Sequence, residues 1–237
     1  MGCHCVEHVQ QPSLETLKQL IEWSDNTIRV ITLAAELPDA DVVTRYAVSH
    51  NITVALGHQV ATATDIERLA DCGATLLTHL GNGAPSTIHR HHNSMWPSIS
   101  EQRLTASIIT DGHHLPTPFI KTVLRAKGAH GVLLVSDIAA VAGLPPGIHP
   151  CMGKQVLVCE DGSVREVDGS RLAGSGSTML MCLNYLSGLG ICSLRELEML
   201  TFYNPLRMIH MSEDVVRKAV QHSLISYHIG GVFTVNS

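Results

Sequence analysis

The sequence predicts an α/β protein built on a (β/α)8 TIM-like barrel, and three observations support this fold class. Short β-branched runs alternate with amphipathic segments between about residues 27 and 138, an order that favours parallel strands with right-handed crossovers. The predicted strands are continuously apolar, as expected for strands covered on both faces. Each strand also ends in a residue suited to chemistry. A barrel gathers such residues from many strand ends, whereas an open doubly wound sheet binds its ligand at one switch point. The consecutive polar endings therefore favour the barrel.

The alternation gives five strands and three connecting helices. The strands are predicted at Thr27–Ala34, Ile52–His58, Thr75–Leu80, Ala106–Gly112 and Gly131–Asp137. The helices are predicted at Ala40–His50, Thr64–Cys72 and Thr117–Lys127. Either Thr62 or Thr64 can cap the second helix, and Pro118 suits the first position of the third. The polar residues at the successive strand ends are Glu36, His58, His79, Asp111 with His114, and Asp137.

The pattern changes after residue 143. Gln155–Val167 predicts a hairpin, so an excursion from the barrel is expected near residues 155–169. Further helices are predicted at Ser177–Leu189 and Ser193–Ile209. Ser193 and Glu196 form a candidate capping box at the start of the second of these. We therefore expect residues 1–210 to form the barrel and residues 211–237 to form a tail, with one or two short strands between Ser226 and Val235.

Composition narrows the functional classes. The 237 residues are 45% hydrophobic and 16% charged, which suits a well-buried core. A formal charge of -5 without a basic stripe, together with 4% aromatic residues, argues against nucleic-acid binding. No apolar run approaches the length of a bilayer span, and Val6 stands where the myristoylation pattern requires Ser or Thr. Seven scattered cysteines indicate a reducing compartment, so we expect a cytoplasmic protein.

Fifteen histidines stand out, and two of them lie at neighbouring strand ends. His58 and His79 would point into the same mouth of a barrel, where imidazoles can bind a zinc ion that keeps one position open for water. Asp137 could take a proton from that water and return it to a leaving nitrogen. Each residue also has an ordinary interpretation. Either histidine could be a packed core residue, and Asp137 could cap a helix.

Six short motifs resemble those of the N-acetylglucosamine-6-phosphate deacetylases, in the same order and spacing over nearly all of residues 2–209. The matching segments are Thr32–Glu36 (TLAPE in that family), Gly57-His58 (GHS), Thr78–Asn82 (THLFN), Asp111–His114 (DGxH), Val135–Asp137 (VTDA) and Leu172–Ser175 (LAGS). Each motif is weak by itself, whereas six in order are specific. Met1–His4 also resembles a KGxH stretch of the family.

The resemblance implies a role for each matching residue. His58 and His79 would bind a divalent metal, in the first instance one Zn2+. Asp137 would be the general base and acid, and His114 would contact the substrate and help to polarise the scissile amide. The other substrate-binding residues implied by the match are Cys3, His4, Asn82, Gly83, Arg90, Leu172, Ala173, Gly174 and Ser175. Arg90 would bind the sugar phosphate, which a guanidinium can contact with two charge-assisted hydrogen bonds. Its alternative is a surface charge within a histidine cluster.

The sequence departs from the family pattern in several places. The family's third metal ligand is a glutamate in an HxEGP motif upstream of the KGxH stretch, so we expect this chain to lack that glutamate and the early barrel strands. Glu36 belongs to a different strand end, and we expect it to be a structural acid rather than a replacement ligand. Ala35 and Gln59 stand where the family has proline and serine. Nothing after His210 resembles the family's closing β-sandwich, most of which we expect to be absent.

The resemblance implies a metal-dependent amidohydrolase that converts N-acetylglucosamine 6-phosphate to glucosamine 6-phosphate and acetate. The altered loop Gly81–Trp96 leaves another acylated amine open as the substrate. A non-catalytic remnant without the metal-binding glutamate is the further alternative. No nucleic-acid or membrane partner is expected. A barrel without its first strands exposes sheet edges that favour association, and we expect a homo-oligomer, in the simplest case a dimer.

Overall fold

A computed structural model of the chain describes residues 6–219, 224–228 and 230–236. Five parallel strands form the central sheet in sequence order. They are β1 (Val30–Leu33), β2 (Thr53–Leu56), β3 (Leu76–Leu77), β4 (Thr105–Ile108) and β5 (Val132–Leu134). All five predicted strands are confirmed, and each is shorter than predicted. A parallel bridge between Ile138 and Ser175 lies just past β5. The α/β class with a parallel sheet is therefore confirmed, and the described strands form an open sheet that does not close into a barrel.

Helices lie before and between these strands. They are α1 (Leu14–Trp23), α2 (Ala40–Ser49), α3 (Ala63–Asp71), α4 (Met95–Ser100) and α5 (Thr117–Lys127). The three predicted helices are confirmed within one residue at each end, whereas α1 and the short α4 were not predicted. Thr62 caps α3 in a capping box. Its hydroxyl accepts from the Asp65 amide at 3.3 Å, and the Asp65 carboxylate accepts from the Thr62 amide at 2.9 Å. Pro118 is the second residue of α5, so its predicted place was wrong by one.

The two faces of the sheet differ in how they are covered. Val54, Leu56 and Ile108 belong to the main core, which the sheet forms with the helices. Ala55, Leu76 and Leu133 lie in a separate small cluster with Met208. Strands β2, β4 and β5 are buried throughout, as their apolar runs predicted, but β1 alternates between exposed and half-buried residues. β1 is an edge strand, hydrogen-bonded only to β2 among the described strands, and unlike β5 at the other edge it is left partly exposed.

The region after the sheet contains a second, antiparallel sheet. Its strands are β6 (Gly147–Cys151), β7 (Lys154–Val158) and β8 (Val164–Glu166). The predicted hairpin corresponds to the β7–β8 pair, and β6 was not predicted. The sheet has its own small core, which contains Val141, Val156 and Val164. It is therefore packed separately from the main core.

Helical segments follow the antiparallel sheet. They are α6 (Met179–Gly188), α7 (Leu194–Glu198), a π-helical turn (Met199–Tyr203), α8 (Asn204–Met208) and α9 (Glu213–Ala219). The Ser193–Glu196 capping box is confirmed. A single helix was predicted at Ser193–Ile209. This prediction is wrong in one respect, because a π-helical turn interrupts the helix. Pro205 follows this turn and cannot donate a backbone hydrogen bond, which disfavours a regular helical ladder there.

The tail, where one or two short strands were predicted between Ser226 and Val235, forms an antiparallel pair, β9 (Leu224–His228) and β10 (Val232–Asn236). Asn184 of α6 holds this pair through both backbone groups of Phe233. The Phe233 amide donates to the Asn184 side chain at 2.7 Å, and the Asn184 amide group donates to the Phe233 carbonyl at 3.0 Å. None of the described helices has both the length and the apolar character needed to cross a membrane.

Candidate active site

Two histidine side chains converge at the carboxyl ends of β2 and β3. The Nε2 atoms of His58 and His79 lie 2.8 Å apart, with the rings edge to face. Both residues adopt left-handed backbone, at φ 51° and 32°, and this conformation ends each strand. Ser107 of β4 holds the second histidine, since its hydroxyl accepts from the His79 amide at 2.7 Å. The pairing of imidazoles at adjacent strand ends is therefore built by the sheet itself.

A tight turn after β3 packs its backbone against His58. Gly83 has φ 70°, and a Cβ atom at this position would lie 2.8 Å from Nδ1 of His58. Asn82 stabilises the same turn, because its backbone amide donates to the His79 carbonyl at 2.9 Å. The glycine is thus required on two grounds, its positive φ and its contact with an imidazole.

Asp137 stands on the far side of the site, after β5. It also has left-handed backbone, at φ 49°, and its side chain is exposed. With His79 it lines an open cavity of about 300 Å³ on the face of the sheet that carries Met208. The helix-cap alternative is wrong, because the residues that follow Asp137 form turns and then β6.

The loop after β4 contains a buried, hydrogen-bonded histidine–aspartate pair. Nδ1 of His114 lies 2.7 Å from Oδ2 of Asp111, and the two side chains are 6% and 1% exposed. Ser175 donates to the same oxygen at 3.0 Å. Burial raises the pKa of Asp111, but hydrogen bonds from His114 and the His113 amide outweigh it and hold that pKa well below its usual range. Asp111 is therefore a carboxylate near neutral pH.

Ser175 connects the Asp111–His114 pair to Asp137. The Ser175 amide donates to the Asp137 carbonyl at 3.0 Å, and the Ala139 amide donates to the Ser175 carbonyl at 2.8 Å. Gly174 lies beside the same segment, since a Cβ there would be 3.0 Å from the Cβ of Ala139. The loops after β4 and β5 are thus tied together by one serine.

Other predicted residues lie apart from the histidine pair. The Arg90 side chain is exposed, and its carbonyl accepts from the indole of Trp96 at 2.8 Å. Leu172 bridges to Arg165, and Ala173 is buried in the core of the antiparallel sheet. Cys3 and His4 lie outside the described residues.

Glu36 joins the ends of β1 and β2. Its Oε1 accepts from the Val60 amide at 2.9 Å, while its Oε2 is buried without a hydrogen-bond partner. The contact places the carboxylate beside the loop that carries His58. It agrees with the structural acid that we expected.

The donor set matches a zinc centre in type and falls short in number. Imidazole nitrogens are common zinc ligands, and a catalytic zinc usually has three protein ligands. Within the described parts of the chain, no group of three His, Cys, Asp or Glu side chains is close enough to hold a metal ion. His58 and His79 thus provide two of the three protein ligands that a catalytic zinc usually has. The pairing of Asp111 with His114 was the site feature that sequence reasoning missed, although the three-residue spacing in Asp111–His114 could have indicated it.

A parallel α/β sheet that places paired histidines and a carboxylate near the carboxyl ends of its strands is typical of α/β enzymes, whose catalytic residues lie at those ends. Comparisons with known proteins specify the group. The chain is 27% identical over 211 residues to an N-acetylglucosamine-6-phosphate deacetylase of Lysinibacillus sphaericus, covering 89% of this chain and 54% of that protein. It is 29% identical over 211 residues to an N-acetylgalactosamine-6-phosphate deacetylase of Escherichia coli O157:H7, covering 89% of this chain and 52% of that protein. No protein-family model matches.

Solved structures give the same result. A Thermotoga maritima N-acetylglucosamine-6-phosphate deacetylase superposes with a TM-score of 0.79 at 28% identity, covering 88% of this chain and 56% of that one. The corresponding Mycobacterium smegmatis enzyme has a TM-score of 0.87 at 21% identity and covers 98% of this chain and 62% of that one, which bears on the fold alone. The predicted resemblance to these deacetylases is confirmed. The chain spans about half the length of the curated relatives it matches.

Proposed function

We propose that this chain carries the catalytic edge of a metal-dependent deacetylase that acts on an N-acetylated amino sugar 6-phosphate. The main support is the convergence of His58 and His79 beside a cavity that Asp137 also lines. N-acetylglucosamine 6-phosphate is the leading substrate, and the products would be glucosamine 6-phosphate and acetate. A Mycobacterium smegmatis relative was solved in complex with N-acetyl-D-glucosamine-6-phosphate.

His58 and His79 would hold the ion, with a third ligand from outside the described residues. A bound zinc ion would supply a water that ionises near neutral pH. Asp137 would take the proton of this water as its oxygen attacks the amide carbon. It would then return the proton to the nitrogen as the C–N bond breaks, so that acetate and a free amine leave. Its exposure on the cavity suits a group that must exchange protons with substrate.

The remaining predicted residues would recognise the substrate. His114 would polarise the amide carbonyl, and Asn82 with the backbone of Gly83 would contact the sugar phosphate. Arg90 would reach the phosphate from its exposed loop, where its charge is open to an anion. Cys3, His4 and the Leu172–Ser175 segment would complete the contacts. We also propose a cytoplasmic location, since all five described cysteines are free thiols.

Two alternatives have specific support. A different acylated amine is favoured by the relative from Escherichia coli O157:H7, which is named for the galactosamine epimer. A non-catalytic remnant is favoured by the incomplete ligand set within the described residues. The two differ in one observable, because only the first releases acetate.

Metal content and acetate release test the proposal together. The full chain, loaded with zinc and dialysed, would be offered the 6-phosphates of N-acetylglucosamine and N-acetylgalactosamine, and N-acetylglucosamine without phosphate. We expect stoichiometric zinc and turnover of the glucosamine phosphate. Asp137→Asn should keep zinc and lower kcat on the order of 100-fold or more. His58→Ala should lose zinc.

Asp168→Asn is the matched control, since this aspartate lies exposed in the antiparallel sheet region. Faster turnover of the galactosamine phosphate would favour the epimer. Zinc without turnover, or neither zinc nor turnover, would overturn the enzymatic proposal for this chain.

A further inference from the structure

The carboxylate of Asp111 has all of its hydrogen-bonding positions filled. Oδ1 accepts from the backbone amides of His113 and His114, each at 2.9 Å. Oδ2 accepts from Ser175 and lies 2.7 Å from Nδ1 of His114. A carboxylate offers about four acceptor sites and no proton. The ring of His114 must therefore donate this hydrogen bond, and its Nδ1 must carry a proton.

A second contact of Ser175 fixes the direction of its hydrogen bond with Asp111. Its Oγ accepts from the Ser177 amide at 3.0 Å and has a single proton. Since that proton points to Asp111, the serine donates to the carboxylate and does not accept from it. The side chains of Asp111 and Ser175 are both almost completely buried, so water does not compete for these bonds.

We propose that Asp111 is a positioning residue that fixes His114 in the tautomer with the proton on Nδ1, and so presents Nε2 to the substrate. The consequence for catalysis depends on the deacetylase function proposed above. In the neutral ring Nε2 can accept a hydrogen bond. In the protonated ring it can donate to the carbonyl oxygen of the scissile amide, while Nδ1 stays on Asp111. The buried carboxylate holds the ring orientation the same in both forms.

Ring nitrogen NMR tests the tautomer directly. Long-range proton–nitrogen spectra of the full chain at a pH where His114 is neutral would be assigned by loss of its signals in His114→Gln. We expect a protonated Nδ1 and an unprotonated Nε2. In Asp111→Asn, the amide oxygen can keep the two backbone donors while its NH2 group faces the ring. The proton should then move to Nε2.

Kinetics and a control complete the test. Asp111→Asn should lower kcat on the order of 10- to 100-fold, with KM changed less, because the ring keeps its place and loses its correct tautomer. Ser175→Ala removes one donor to the same carboxylate and should keep the wild-type tautomer. A wild-type ring protonated on Nε2, or an unchanged tautomer in Asp111→Asn, would overturn the proposal. A correct tautomer without acetate release would instead count against the deacetylase function alone.

Discussion

The three residues that carry the proposed chemistry all have left-handed backbone, as do six other described non-glycine residues. His58, His79 and Asp137 all have φ between 32° and 51°, a region that costs non-glycine residues on the order of 1–3 kcal/mol each. Each follows a short parallel strand, and the turn directs the chain away from the sheet. Such strain persists when the surrounding structure determines it, as Ser107 does for His79. The turns after these strands thus position the side chains of the candidate site.

The contact of Gly83 with His58 predicts a local effect of one methyl group. In Gly83→Ala the new Cβ would lie 2.8 Å from Nδ1 of His58, so the ring or the turn must move. We expect zinc affinity, measured by competition with a chromophoric chelator, to fall on the order of 10-fold or more.

Gly169→Ala is the matched control for this prediction. Gly169 has φ 72°, against 70° for Gly83, and a Cβ added to it would meet nothing within 4 Å. It should therefore cost about 1 kcal/mol of folding free energy from backbone strain and leave zinc affinity unchanged. Equal losses of zinc affinity in both variants would show that strain, and not the contact with His58, is responsible.

At the scale of elements, Lys127 joins the end of α5 to the segment between α4 and β4. Its ammonium group donates to the carbonyls of Glu101 and Leu104 at 2.9 and 2.8 Å. Burial lowers the pKa of Lys127 to about 8, although the charge of Glu101 opposes this shift. The folded state therefore releases this proton at lower pH than the unfolded chain does. Its contribution to stability should increase as pH rises from about 8 towards the ordinary value of 10.5.

Urea unfolding of the wild type and of Lys127→Met at pH 7.5 and pH 10 measures this contribution. We expect the wild type to gain about 1–2 kcal/mol relative to the variant between these two pH values, after allowance for solvent screening. Comparison with the variant removes the effects of cysteines and tyrosines that titrate in the same range. A difference that stays constant or shrinks with rising pH would contradict the prediction.

The elements of this fold differ in how far the sequence predicted them. Strands buried on both faces, such as β2, and helices with caps, such as α3, were predicted because apolar runs and capping residues are local signals. The short α4 (MWPSIS) was missed because its six residues include Pro97 and show no apolar period. The π-helical turn was missed because it results from the geometry around Pro205 within an otherwise helical pattern.

The geometry of the candidate site was predicted only in part. His58 and His79 could be paired because consecutive parallel strands place their ends side by side. The hydrogen bond from Ser175 to Asp111 joins residues that are 64 positions apart in the sequence, with the antiparallel sheet between them along the chain. No local pattern indicates it. The exposure of Asp137 also depended on how its turn leaves the sheet, which the apolar run before it did not reveal.

At the scale of the whole molecule, β1 is the partly exposed edge of the central sheet, whereas β5 at the other edge is buried. Among the described strands β1 pairs only with β2, and Val30 and Thr32 line the apolar cavity that also contains His79 and Asp137. An unpaired parallel edge next to an apolar cavity favours pairing with another chain.

Self-association through this edge is therefore expected for the chain by itself. Sedimentation velocity over a wide concentration range should show dimers or larger species. Val30→Lys places a charge on the edge strand and should shift the distribution towards monomer, because charged residues oppose edge-to-edge pairing. Val42→Lys is the matched control, since Val42 lies on α2 and is 42% exposed against 36% for Val30. A wild type that stays monomeric at all concentrations, or equal effects of the two lysines, would show that the β1 edge does not drive association.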